Sequence, residues 1–264
     1  MKLHLIDGNN VLRRNFETSG AAWAIQSYIQ ACIGSSVNGT LVWVWDGANA
    51  KKPRQEIWPA YKATSDSSDE FYKFMDKFRE LLTYSNTLQI RCEGREADDV
   101  IAEMVKAKSP DTEIYIESND QDYRQLVGDK VTLEYMSPTL EDLKADDIRL
   151  YKTLVGDSSD EIKGLSGFGH AAYLKLSDAQ KCLLEEFLQD SSSLTEQEAI
   201  SEVGLTKAKA KKLIESQETL KKCWDIIGFF HVPTSEIMAG SIQGVKNTVA
   251  AKAIFDELKI PITL

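Results

Sequence analysis

Three carboxylates fall within four residues at Glu96-Ala97-Asp98-Asp99, directly ahead of an apolar pattern at Val100, Ile101, Met104 and Val105. That 3.6-residue period predicts an amphipathic helix opening near Glu96, entered from a short strand at Leu88–Arg91. Acids in a first helical turn are favourable by themselves, because the free N–H groups there carry partial positive charge. The device recurs, however. Asp7, Asp46, Asp120 with Asp122, and Asp157 with Asp160 each stand at a predicted strand end or tight turn. These nine carboxylates, brought together, could not all stay ionised without a compensating cation. Oxygen-only ligands suit hard divalent ions, so Mg²⁺ or Mn²⁺ is the expected occupant.

The elements that must position these acids can be read in order. Lys2–Ile6 is a short apolar strand running into Asp7-Gly8-Asn9-Asn10, and a helix carrying Arg13 and Arg14 follows, then another through 21–33. Thr40–Trp45 is an unbroken apolar strand, of the kind buried in a parallel sheet, ending in Asp46-Gly47. Either Asp-Gly could be turn chemistry alone. In open α/β sheets, though, ligand sites gather at the carboxyl ends of strands, which is where both acids lie. From 48 to 68 the chain is polar, and Pro53 and Pro59 argue against regular structure. Ser67 with Glu70 fits a capping box ahead of a helical stripe, Phe71, Phe74, Met75, Phe78, Leu81 and Leu82, read as core. Further strands are expected at 113–117 and 131–135, giving a mostly parallel sheet with helices on both faces. No convincing strand follows residue 139. The remainder reads as helical, with a glycine-rich turn at 156–170 and a second capping box at Thr195 and Glu198. Lys207, Lys209, Lys211 and Lys212 form a basic helical run that is open to two readings, a solvated face or a phosphate-contacting one.

Composition sets the bounds. The chain has 264 residues, 42% hydrophobic and 27% charged, which suits a folded protein with a real core. The longest uncharged apolar runs are too short to cross a bilayer, and the N-terminus enters a strand with no signal-peptide pattern. A cytoplasmic setting with free cysteines is expected, since Cys32, Cys92, Cys182 and Cys223 are scattered. A net charge of −10 ordinarily argues against a nucleic-acid partner. A metal-loaded acidic site is the exception, because there excess negative charge can serve a phosphate substrate. His4, His170 and His231 have no partners in the sequence that suggest a catalytic triad, and all three read as structural or surface residues.

Taken together, these segments resemble the 5′ nuclease (flap endonuclease/5′→3′ exonuclease) family in its phage and bacterial form, over essentially the whole chain. The resemblance rests on Asp7-Gly8 with Arg14, Trp45-Asp46-Gly47, Arg54 through Pro59-Ala60-Tyr61-Lys62, and Glu96-Ala97-Asp98-Asp99. It extends through Asp120-Gln121-Asp122 with Gln125-Leu126, Gly156-Asp157-Ser158-Ser159-Asp160, and Gly164-Leu165-Ser166-Gly167-Phe168-Gly169. It implies a PIN-like α/β core over 1–150 with an arch near 48–85, then a helical DNA-binding part over 151–264 with a helix-hairpin-helix near 156–176. By the same resemblance Asp7, Asp46, Glu96, Asp98 and Asp120 face one metal ion. Asp122, Asp157 and Asp160 face a second, with Asp99 nearby. Lys62 falls on the arch lysine that contacts the scissile phosphate. Arg14, Arg54 and Tyr61 fall near the substrate, and Gly164, Gly167, Gly169, Lys175, Lys207 and Lys211 on the duplex grip, where a monovalent cation can also sit at the hairpin. The chain departs from the pattern at Ser65 and Ala171, where basic residues are usual, at Gln121, where lysine is common, and at Arg13, where an aromatic is usual.

The expected function is therefore a Mg²⁺- or Mn²⁺-dependent, two-ion phosphodiesterase, working as a monomer in a bacterial cell or phage-infected host. Its expected partners are DNA 5′ ends, flaps, nicked duplex or RNA–DNA hybrid, along with replication proteins. One rival is a branched-DNA-binding module of the same fold with little catalysis, but such a binder gains nothing from nine phosphate-repelling acids. A haloacid-dehalogenase-type phosphatase is the other; it needs an Asp-x-Asp on its first strand, and Asp7-Gly8-Asn9 lacks the second acid.

Overall fold

The computed structural model describes residues 1–18, 27, 39–63, 68–189 and 192–260, which fall into two compact units. An α/β unit comprises Met1–Ala50, Ser65–Leu140 and Phe230–Leu264, and a helical unit comprises Lys51–Thr64 and Glu141–Phe229. The single boundary near residue 150 expected from the sequence thus differs from the units found. Residues 51–64 join the later helices, while the last segment returns to the sheet.

The α/β unit is built on six strands: β1 Lys2–Asp7, β2 Thr40–Trp45, β3 Leu88–Arg91, β4 Glu113–Glu117, β5 Val131–Leu133 and β6 Ser241–Gln243. Their order is β5-β4-β1-β2-β3-β6, parallel except for β6, which lies antiparallel on β3. The mostly parallel α/β architecture is the one the sequence predicts. Strand β1 pairs with β2 on one side and β4 on the other, so the sheet order reverses beside it. Crevices form at the carboxyl ends of strands at such a point, and Asp7 ends β1 there. Val42–Trp45 are all buried, as a central strand covered on both faces requires.

The stripe on the helix Asp69–Thr83 is core as expected. Phe71, Met75, Phe78, Leu81 and Leu82 pack with Trp43, Trp45, Ile254 and Phe255, and Phe74 lies against the same cluster. Burying each such side chain contributes about 1.5–3 kcal/mol. This packing carries the helix Thr248–Glu257 back to the α/β unit.

Three local expectations change. Strand β6 exists, and its three residues were too few and too polar to show a period. Lys52–Ile57 is helical despite Pro53, because proline in the first turn sacrifices no hydrogen bond. The cap of Asp69–Thr83 is Ser68, whose Oγ accepts from Phe71 N at 3.2 Å, and Ser67 lies outside the described residues. The helix expected over 21–33 also falls mostly outside them, as does Ser65. The capping box at Thr195 and Glu198 is formed as read, and Ser177 with Gln180 forms another.

The helical unit holds Asp147–Val155, Asp178–Leu188, Glu196–Ser201, Lys207–Glu215 and Gln217–Ile227, with a single turn at His170–Tyr173. Part of its core joins Tyr61, Ile162, Cys223, Ile226 and Ile227.

Candidate functional site

Each acid of the α/β unit is positioned where a strand gives way to a turn or helix. Asp7 closes β1 and is only 7% exposed. Its Oδ1 accepts from Asn10 N at 3.2 Å, and its Oδ2 accepts from Ser118 Oγ and Tyr123 Oη, both at 3.1 Å. Asp46 follows β2 and accepts from Ala97 N at 2.8 Å through Oδ1, so it caps the helix that Glu96 begins. The adjoining Gly47 is a packing requirement, since a Cβ there would lie 1.8 Å from the Cys92 carbonyl oxygen. Asn9 ties the ends of β1 and β2 by accepting from Asp46 N at 3.1 Å, and Asn10 ties β1 to the β4 end by accepting from Asn119 N at 3.1 Å. Glu96 is buried, Asp98 Oδ1 accepts from Asp99 N at 2.7 Å, and Asp120 Oδ1 accepts from Asp122 N at 2.9 Å.

Charge shows which of these acids sense one another. Burial pushes the Asp7 carboxyl up to about 8, with Asp46, then Asp120 and Asp98, pushing the same way and the Asn10 amide opposing. A group so placed takes up either a proton or a cation. Among the described residues, no three His, Cys, Asp or Glu side chains are grouped to hold an ion as they stand. The donors nonetheless fit a hard divalent ion by chemistry, being carboxylate oxygens around a buried acid that resists ionisation alone.

Asp157 and Asp160 belong to the helical unit, and each has a lysine beside it. Lys152 Nζ lies 2.7 Å from Asp157 Oδ2, and Lys62 Nζ lies 3.9 Å from Asp160 Oδ1. Burial pushes Asp157 up, but the Lys152 ammonium and the Ser159 hydrogen bonds outweigh it and hold the carboxyl below its usual range. In the turn at 156–169, Gly164 has φ +65°, and a Cβ there would meet the backbone of Val155 and Gly156 at 2.6 Å. Gly167 (φ +81°) and Gly169 face open space instead, so backbone can approach there. The basic helix Lys207–Glu215 meets this turn: Lys212 Nζ donates to Ser166 Oγ at 3.1 Å, and Lys209 lies over the Phe168 ring. Lys175, Lys207 and Lys211 are exposed.

Three expected site residues have other duties. Arg54 is 2% exposed and donates to the carbonyls of Ile226 and Gly228 at 2.9 and 3.3 Å; it holds the helical unit together rather than presenting a surface charge. Tyr61 is likewise a core residue, 2% exposed. Asp99 is buried with Oδ1 accepting from Phe230 N at 2.7 Å, which anchors the returning chain. Arg14 lies over the Tyr135 ring at 4.3 Å. Sequence reading missed Ser118, Tyr123, Asn9 and Asn10, which orient the acids, and Lys152, which pairs with one. The asparagines follow Asp7-Gly8 and stand out in the sequence; the others come from distant segments and leave no local signal.

With a buried carboxylate group at the carboxyl ends of a parallel sheet, the structure defines an α/β domain suited to divalent-ion chemistry. The family model described as the 5′-3′ exonuclease N-terminal resolvase-like domain matches residues 2–152, and the chain belongs to that family. It is 28% identical over 205 residues to a 5′-3′ exonuclease of Mycoplasmopsis pulmonis, covering 70% of this chain and 69% of that protein. It is 30% identical over 218 residues to DNA polymerase I of Caldicellulosiruptor bescii, covering 72% of this chain but only 26% of the polymerase. A structure of the T5 5′-exonuclease with bound zinc has the same fold, with TM-score 0.63 and 22% identity over 98% of this chain and 99% of that one. The bacteriophage T5 flap endonuclease is also described in a complex with DNA and metal ions, at TM-score 0.55.

Proposed function

We propose that this protein is a divalent-metal-dependent 5′ nuclease that hydrolyses phosphodiester bonds at or near DNA 5′ ends, flaps and nicks, and in RNA–DNA hybrids. The observation that carries the reading is Asp7, buried and pushed up to about 8 by burial and by Asp46, Asp120 and Asp98. Family membership gives the reaction class, and the T5 structures with metal ions and with DNA support the cofactor and substrate classes. Bound divalent ions supply a nucleophile at neutral pH and neutralise charge building on the cleaved phosphate.

The chain's own residues do the rest. Asp7, Asp46, Glu96, Asp98 and Asp120 hold the cation, with Ser118, Tyr123, Asn9 and Asn10 fixing their oxygens. Within the helical unit, Asp157 pairs with Lys152 and Asp160 with Lys62. Lys62, once released from Asp160, stabilises charge on the phosphate in the transition state. Gly167 and Gly169 let the turn backbone approach a phosphate strand, as a helix-hairpin-helix does, with Lys175, Lys207 and Lys211 adding charge. Such contacts grip without reading sequence, so specificity follows DNA shape.

The test is a panel of 5′-flap, nicked, blunt and RNA–DNA substrates with Mg²⁺, Mn²⁺ and EDTA. Release of short 5′-labelled products only with divalent ions supports the proposal. Tight binding without cleavage in every condition would favour the branched-DNA-binding alternative.

A further inference from the structure

A second charged feature of the α/β unit lies outside the acid group. Trp45, Asp76, Arg79, Glu80, Gln89 and Arg91 line an open cavity of about 240 Å³, and the two arginines matter most. Arg79 enters from the helix Asp69–Thr83, and its Nε is buried with no hydrogen-bond partner among the described residues. Its Nη1 reaches Asp76 Oδ1 only at 3.5 Å, and that aspartate is 70% exposed. Arg91 enters from β3, lines the same cavity, and commits its Nε to the Asp46 carbonyl at 3.0 Å. The other carboxylate of the lining, Glu80, is engaged by Lys77 at 3.2 Å. Burial and the neighbouring Arg91 charge both lower the proton affinity of Arg79.

Two like charges converging on one cavity are unfavourable in a chain whose net charge is −10 and which has carboxylates to spare. The Arg79 stem is explained by packing, since its guanidinium lies 5.9 Å from the Trp45 ring centroid. The orphan donor is not, because a buried N–H without an acceptor costs stability. The backbone at Arg79 and the Trp45 ring are held in place. Gln89 accepts from Trp45 Nε1 at 3.1 Å and donates to the Arg79 carbonyl at 3.1 Å. Two guanidiniums lining one cavity suit a tetrahedral oxyanion, to which planar N–H forks donate in pairs.

We propose that this cavity is a phosphate-binding site in which Arg79 and Arg91 grip the oxyanion of free phosphate, a mononucleotide or a nucleic-acid strand. The proposal stands independently of the nuclease reading, because none of its residues is one of the candidate metal-holding acids.

The test is isothermal titration calorimetry in EDTA with inorganic phosphate, thymidine monophosphate and a short oligothymidylate, on the wild type, Asp76→Asn and Arg79→Met. EDTA keeps metal-mediated phosphate binding out of the signal. Saturable wild-type binding is expected for at least one probe. Asp76→Asn removes the competing carboxylate and should tighten binding roughly threefold, while Arg79→Met should weaken it roughly tenfold. Equal affinity for all three probes identifies the bare oxyanion as the ligand, and tighter binding of the nucleotide or the oligonucleotide identifies that source. No saturable binding, or affinities unchanged in Asp76→Asn and in folded Arg79→Met, would overturn the proposal. Asp76 is exposed, so Asp76→Asn decides the matter if Arg79→Met fails to fold.

Discussion

Asp7 makes the metal-free protein sensitive to alkaline pH, against the usual behaviour of carboxylates. Its carboxyl moves from 3.8 to about 8 on folding, chiefly because it is buried and next because Asp46 faces it. Between those values the folded chain holds a proton that the unfolded chain has released. The contribution is fully present below pH 4, falls as pH rises, and is lost above about 8. At about 1.4 kcal/mol per pH unit the full window amounts to about 6 kcal/mol as an upper limit. From pH 5.5 to 8.5, where few other carboxyls titrate, about 3 kcal/mol is expected. Asp7→Asn removes the titration while keeping the shape. Urea unfolding in EDTA across this range should show wild-type stability dropping by about that amount relative to Asp7→Asn. Adding Mg²⁺ at pH 8.5 should restore the wild type and leave Asp7→Asn unchanged. Parallel pH profiles for the two proteins would refute the reasoning.

Other outcomes follow from the same contacts. Asp98→Asn and Asp120→Asn should each lower single-turnover cleavage at least about a hundredfold while melting temperatures hold or rise, because a repelling charge is removed. Lys62→Ala should reduce the single-turnover rate far more than DNA affinity, a split that rate and anisotropy measurements on one flap substrate resolve. Arg54→Met should destabilise the protein by about 2–4 kcal/mol in urea unfolding, since the Ile226 and Gly228 carbonyls lose their donor. DNA should bind more tightly in Ca²⁺ than in EDTA at matched ionic strength, as fluorescence anisotropy on flapped DNA can show, because bound cations cancel the repulsion of the acid group.

The parallel sheet was legible because β1 and β2 are apolar runs ending in Asp-Gly, and the helix Asp69–Thr83 because its aromatic stripe keeps a helical period. The acids of the α/β unit stood out for a related reason: they come just after strands, and strand ends are where such a sheet gathers ligands. Strand β6 was not, because three polar-flanked residues acquire their pairing from β3 and not from their own pattern. Arg54 and Tyr61 were expected near the substrate, yet the chain folds that segment against Ile226 and Ile227, with Ile226 172 residues after Arg54, which no local signal records. Asp99 sits in the same first turn as Asp98, and only the position of the Phe230 amide separates their roles. The pairing of Lys152 with Asp157 and of Lys62 with Asp160 was hidden likewise, since such ion pairs carry no spacing rule.

The most direct test of the central claim is cleavage of a 5′-labelled flap substrate by the wild type and Asp98→Asn, each with Mg²⁺ and with EDTA. Short labelled products should accumulate only for the wild type with Mg²⁺. Cleavage at the same rate in EDTA, or by Asp98→Asn, would contradict the assignment of these carboxylates to a divalent-metal nuclease site.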